Sequence, residues 1–124
     1  MTSLALLLLT GTHERAHYAF MLAVGAAAIG RPVILFASND GCRALAQDWS
    51  KLTDAARDQT VRARGVAGLD ELRDAAAELG VRLLVCEAGL LMAGLPADLL
   101  LPAVEVTGIP AFLAAAGTGP IMTL

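Results

Sequence analysis

Cys86 stands where a short apolar run, Val81–Val85, hands over to a stretch, Glu87–Ala93, that reads as a helix. A thiol at such a handover meets exposed amide N–H groups, which favour the thiolate, the form that acts as a nucleophile. Glu87 works the other way, because a neighbouring carboxylate disfavours a second negative charge. The position equally suits a small core residue beside Leu84 and Val85. Cys42 follows the turn Ser38-Asn39-Asp40-Gly41 and reads as an assisting thiol or as a packing residue in the first turn of a helix. Two cysteines without a secretion signal point to free thiols rather than a disulfide.

His13-Glu14-Arg15-Ala16-His17 has the spacing of the His-Glu-x-x-His zinc hydrolases, two imidazoles one helical turn apart with a glutamate as general base. It falls at a strand-to-helix turn, and the chain has no third histidine, so a third ligand would have to be a carboxylate such as Glu71 or Asp74. The plainer reading is a polar helix start whose histidines face the loop side, with His13 within reach of Cys86 as a proton partner. No Gly-x-Gly-x-x-Gly follows a strand, and Lys51, the sole lysine, belongs to no phosphate loop. Asp98 and Glu105 read as solvated, and Gly117-Thr118-Gly119 as a turn. Arg62 and Arg64 could meet an anion if their loop folds over a site; a solvated loop is the simpler expectation.

These residues need elements to position them. Ser3–Leu9 reads as a strand covered on both faces, followed by a helix over Glu14–Ile29 that stops at Gly30. Past Tyr18 that helix has no polar face, which predicts burial against the sheet on one side and against another subunit on the other. Pro32–Ala37 is the second strand, and Cys42–Trp49 is expected to be helical. From Ser50 to Gly68 charges interrupt any apolar stripe, which predicts an exposed, mobile connection containing some helix. Asp70–Leu79 reads as a helix with Leu69, Leu72, Ala76 and Leu79 inward, closed by Gly80, and Val81–Val85 as the third strand. A short helix over Glu87–Ala93 and another after Pro96 precede a brief strand at Val104–Val106. Thr107 then caps a helix running through Ala116, and Gly119–Leu124 is the last strand. Strands alternating with helices predict a single α/β domain over residues 1–124: a flavodoxin-like parallel sheet of about five strands with helices on both faces. Ligands of such sheets gather beyond the carboxyl ends of the strands, where His13, Cys42 and Cys86 all fall.

Composition narrows the partners. The 124 residues are 56% hydrophobic and 17% charged, with a mean hydropathy of +0.64 and a formal charge of −3. That excludes disorder and disfavours nucleic-acid binding. The apolar runs Ala19–Gly30 and Ala88–Val104 are too short or too broken by Pro96, Asp98 and Pro102 to span a bilayer, so no membrane insertion is expected. Met1-Thr2-Ser3-Leu4 lacks the basic start of a signal peptide, which predicts a cytoplasmic chain hiding apolar surface in an oligomer.

Gly80-Val81 with Cys86 six positions after the glycine, then Gly94-Leu95, Leu99-Leu100, Val104-Glu105-Val106, Gly108-Ile109 and Phe112-Leu113, resembles the carboxyl-terminal half of the DsrE/DsrF-like family. Leu4–Leu9 with Thr10-Gly11 and the Ala-rich helix into Gly30-Arg31-Pro32-Val33-Ile34-Leu35-Phe36 is similar to that family's opening strand–helix–strand. The likeness covers the chain except about Lys51–Gly65. It implies a five-stranded α/β domain that forms trimers or hexamers. It further implies a sulfurtransferase-like carrier in which Cys86 holds persulfide sulfur received from a donor protein and passed to an acceptor. In that scheme Cys42, His13 and Glu87 are possible assisting residues, and no metal or organic cofactor is required. The sequence departs from the pattern after the cysteine, where Glu87-Ala88-Gly89-Leu90-Leu91 replaces a polar Ser-Met segment, and after the second strand, where Ala37-Ser38-Asn39-Asp40 replaces an aromatic stretch. Two other readings stand beside it: a non-catalytic oligomeric binding or assembly subunit, and a zinc hydrolase using His13 and His17.

Overall fold

The computed structural model describes all 124 residues. Each short apolar run becomes a strand because its backbone groups pair with a neighbour while both side-chain rows are covered. The strands are β1 (Leu4–Leu8), β2 (Val33–Ala37), β3 (Arg82–Cys86), β4 (Glu105–Thr107) and β5 (Ile121–Thr123). They form one sheet in the order β4-β3-β2-β1-β5, with every pair parallel. The register runs straight across it: Leu8 pairs with Ala37, Ala37 with Val85, and Val85 with Val106.

Between strands lie α1 (His13–Ala28), α2 (Arg57–Ala63), α3 (Leu69–Glu78), α4 (Glu87–Ala93) and α5 (Ile109–Ala116). Thr12 caps α1, its hydroxyl accepting from the Arg15 N–H at 3.3 Å. Gly30 and Gly80, both at positive φ, turn the chain out of α1 and α3 as the sequence predicts.

The two faces of the sheet are covered unequally. Leu4, Leu6, Leu8, Val33, Leu35, Leu83 and Val85 point into a large core against α1, α3 and the segment after β2. Ala5, Ile34, Phe36, Leu84 and Cys86 point the other way, into a small core closed only by Phe112 and Ala116 of α5. Toward the amino ends of β3 and β4, beyond the reach of α5, that face carries a half-exposed ion pair, Arg82 Nη2 to Glu105 Oε2 at 2.9 Å.

Four expectations are corrected. Cys42–Trp49 is not an α-helix: a 3-10 helix spans Asn39–Leu45 and the chain then runs extended. The Arg73 guanidinium, buried under α3, donates to the carbonyls of Ala44 and Ala46 at 3.1 and 2.6 Å and of Gln47 at 3.2 Å, taking the acceptors a longer helix would have used. Ser50–Gly68 holds the expected helix as α2 but is not an exposed connection throughout: Leu52, Asp58 and Val61 are buried, and Thr53 forms a parallel bridge with Thr12. Leu79 is exposed, and the inward face of α3 is Leu69, Leu72, Arg73 and Ala76. Thr107 belongs to β4, so Gly108 takes the cap of α5.

Candidate functional site

Cys86 is both the last residue of β3 and the N-cap of α4, and no side chain caps that helix. Its register partner is Thr107, the end of β4. Ser38 continues the same row in extended conformation beyond β2, one residue past the Ala37–Val85 pair. Cys86 thus sits at the carboxyl edge of the sheet, as its place in the sequence predicts, and on the side covered by α5.

Its surroundings are apolar. Cys86 is 4% exposed and packs in the small core with Leu84, Phe36 and Phe112, whose rings stack at 4.3 Å and 6°. Beside it a groove of about 200 Å³ opens between α5 and the sheet. Leu7, Leu9, Phe36, Ser38, Ile109 and Phe112 line it, and no charged side chain does. Glu87 is exposed at the start of α4. Cys86 does not itself line the groove; the two are joined through Phe36 and Phe112, which belong to both the groove and the small core.

Cys42 lies in the 3-10 helix, fully buried in the large core, and both cysteines are free thiols. Burial first, and then the proximity of Cys86, push its thiol up from 9.0 to about 12, against the smaller opposing effects of its backbone hydrogen bond and Arg43. At neutral pH it keeps its proton.

His13 and His17 occupy the α1 side of the sheet, and the structure does not bring His13 to Cys86. His13 is fully buried, not turned toward the loops as expected. Its Nε2 donates to Asp58 Oδ1 at 2.7 Å, and Arg57 Nη1 lies 3.2 Å from its Nδ1. Asp58 Oδ1 also accepts from the Leu69 N–H at 2.9 Å, and Arg62 Nε lies 3.3 Å from Oδ2. Burial raises the Asp58 pKa, but the His13 and Leu69 hydrogen bonds and the nearby positive charge outweigh it and hold the carboxyl below its ordinary 3.8.

The His17 ring stacks on that of His13 at 5.5 Å, and its Nε2 donates to the Ala67 carbonyl at 2.8 Å. The pair has the spacing of a metal motif, but both Nε2 atoms are engaged by the segment after residue 50. No group of three or more His, Cys, Asp or Glu side chains is arranged to hold a metal ion. Sequence reasoning missed Asp58, Arg57 and Arg73 as structural residues. Their partners lie tens of positions away, and charged side chains in a charge-rich stretch look solvated.

No helix is long and apolar enough to cross a membrane. A family model described as the DsrE/DsrF-like family matches residues 3–123. The crystal structure of the ychN protein from E. coli superposes with a TM-score of 0.74 at 12% identity, covering 100% of both chains. The structure of MTH1491, a protein of unknown function from Methanobacterium thermoautotrophicum, gives 0.68 at 15% identity, again over 100% of both chains. No curated protein matches.

Proposed function

The chain belongs to the DsrE/DsrF-like family, and from that premise we propose that it is a cytoplasmic sulfur carrier whose Cys86 holds sulfane sulfur as a persulfide. The Cys86 thiolate attacks the outer sulfur of a donor persulfide. The donor S–S bond breaks, the donor leaves as a thiolate, and a new S–S bond forms on Cys86. An acceptor thiolate then attacks the outer sulfur on Cys86 and regenerates the Cys86 thiolate. The sulfur atom moves at constant oxidation level, so neither step consumes an oxidant, a reductant or a cofactor.

The observation that carries this reading is the position of Cys86: the last row of the sheet, at a helix cap, beside an apolar groove. At 4% exposure Cys86 is reached only when the packing around it opens, which shields a persulfide from water and stray thiols between transfers. Cys42 stays protonated in the core, and His13 and Glu87 take no step. The exposed apolar side chains around the groove, Leu9, Ile109 and Leu113, form the contact between copies in a homo-oligomer of three or six.

The test is mass spectrometry after exposure to inorganic polysulfide. The expected result is one added sulfur atom on the wild-type chain, retained in Cys42→Ala and absent in Cys86→Ser. Equal loading of Cys86→Ser would remove the assignment. The burial of Cys86 favours one other reading, a binding or assembly subunit in which the thiol is packing. That reading is supported if the folded wild type takes up no sulfur while Cys86→Ser assembles as before.

A further inference from the structure

Arg64 ends α2 without a carboxylate partner, although the sequence is net acidic. It lies on the same face as Arg57, Thr60 and Val61, seven, four and three residues before it. That face looks across at His17, Tyr18 and Met21 of α1. Between the two helices is a half-open cavity of about 320 Å³, lined also by Val66. No carboxylate lines it. It lies on the α1 side of the sheet and takes no part in the chemistry of Cys86.

The lining has two parts. Met21, Val61 and Val66, with the Tyr18 ring, form an apolar wall that a small hydrophobic body could cover. Arg57 and Arg64 supply positive charge, and Thr60 a hydroxyl. Arg57 uses one N–H on His13 Nδ1, and its Nε lies 3.9 Å from Glu14 Oε2, an exposed carboxylate outside the cavity, so the rest of its fork stays available. His17 commits Nε2 to the Ala67 carbonyl and is held in place by its stack on His13, so the floor is rigid. The His13–Asp58 pair in turn anchors α2 against α1, so the two walls are preorganised.

We propose that this cavity binds an organic monoanion, a carboxylate or sulfonate carried on an aromatic or short alkyl body. The acid group is received by the Arg57 and Arg64 guanidinium groups and the Thr60 hydroxyl, and the body lies on Met21, Val61 and Val66. A fully polar anion such as inorganic phosphate would leave the apolar wall uncovered. A neutral aromatic would leave the guanidinium groups without a partner.

The probe is naphthalene-2-sulfonate, titrated calorimetrically into the full chain at low salt, with naphthalene-2-sulfonamide as its neutral counterpart. The expected result is saturable binding of the sulfonate, with the sulfonamide and an Arg64→Glu variant each weaker by about tenfold or more. Thr60→Glu, a second exposed position on the same wall, should weaken binding similarly if Arg64→Glu folds poorly. Leu113→Ser, at the other apolar groove, should leave it unchanged. The chain has two histidines, so ring ¹⁵N spectra supply a second readout: the sulfonate should shift His17 more than the shielded His13. Absence of binding at millimolar sulfonate, equal affinity for the sulfonamide, unchanged affinity in both α2 variants, or loss of binding in Leu113→Ser would each overturn the assignment.

Discussion

Burial on the α1 side pushes the Cys42 thiol up to about 12, so a folded molecule keeps this proton over a range where an unfolded one has lost it. Below pH 9 the thiol is protonated in both states and contributes no pH dependence. Above it the unfolded chain binds fewer protons than the folded chain, so stability falls as pH rises, by up to about 1.4 kcal/mol per pH unit. The expected outcome is a steeper loss of urea stability between pH 9 and 11 in wild type than in Cys42→Ala; parallel slopes would contradict the burial argument. Asp58 has the opposite sign. Its carboxyl is held below the ordinary value in the folded state, so its contribution is present at neutral pH and disappears as pH falls through that lowered value. The two groups together place the stability maximum between the acid and alkaline limbs.

At the scale of elements, the strands and the approximate extents of α1, α3 and α4 were legible because their causes are local: apolar runs and a glycine at positive φ just past the helix. What was not legible depends on pairs distant in sequence. The 3-10 helix stops because Leu45, Ala46 and Gln47 pair with Leu99, Leu100 and Leu101 and because Arg73 takes its carbonyls, and no local pattern announces either. The segment after residue 50 looked solvated because a buried Asp58 is identifiable only once His13 stands opposite it. The candidate site was half legible: Cys86 and its place at the carboxyl edge followed from element order, whereas the α5 cover over it did not. One contact here is testable. A Cβ on Gly89 of α4 would collide with Ser38 Oγ and come within 2.5 Å of the Asn39 nitrogen, so only glycine lets α4 seat beside Cys86. Gly89→Ala should lower stability by about 1–3 kcal/mol by overpacking and should speed alkylation of Cys86 by prising α4 away. Unchanged stability and an unchanged labelling rate would mean that this seam has slack.

The whole molecule exposes 6402 Å², close to the roughly 6300 Å² of a compact monomer of this mass. Its 56% hydrophobic content is therefore not absorbed by unusual compactness, and part of it remains on the surface. That surplus is uneven: Ile109 and Leu113, both about half exposed, stand with Leu9 and Ile121 around the groove on the thinly covered face of the sheet. A patch of this kind on a lone chain invites association, and parallel sheets are ordinarily covered on both faces. Under the sulfur-carrier reading a second copy seated there would also roof the approach to Cys86, so assembly and thiol access would be coupled. Sedimentation velocity of the wild type is expected to give a trimer or hexamer at micromolar concentration. Leu113→Glu, which places a charge at the centre of the patch without touching the buried side of α5, should give monomers that stay folded and label faster at Cys86. A wild type that sediments as a monomer would overturn the oligomer, and a Leu113→Glu oligomer indistinguishable from wild type would put the interface elsewhere, with the exposed Leu91 and Met92 of α4 the next surface to alter.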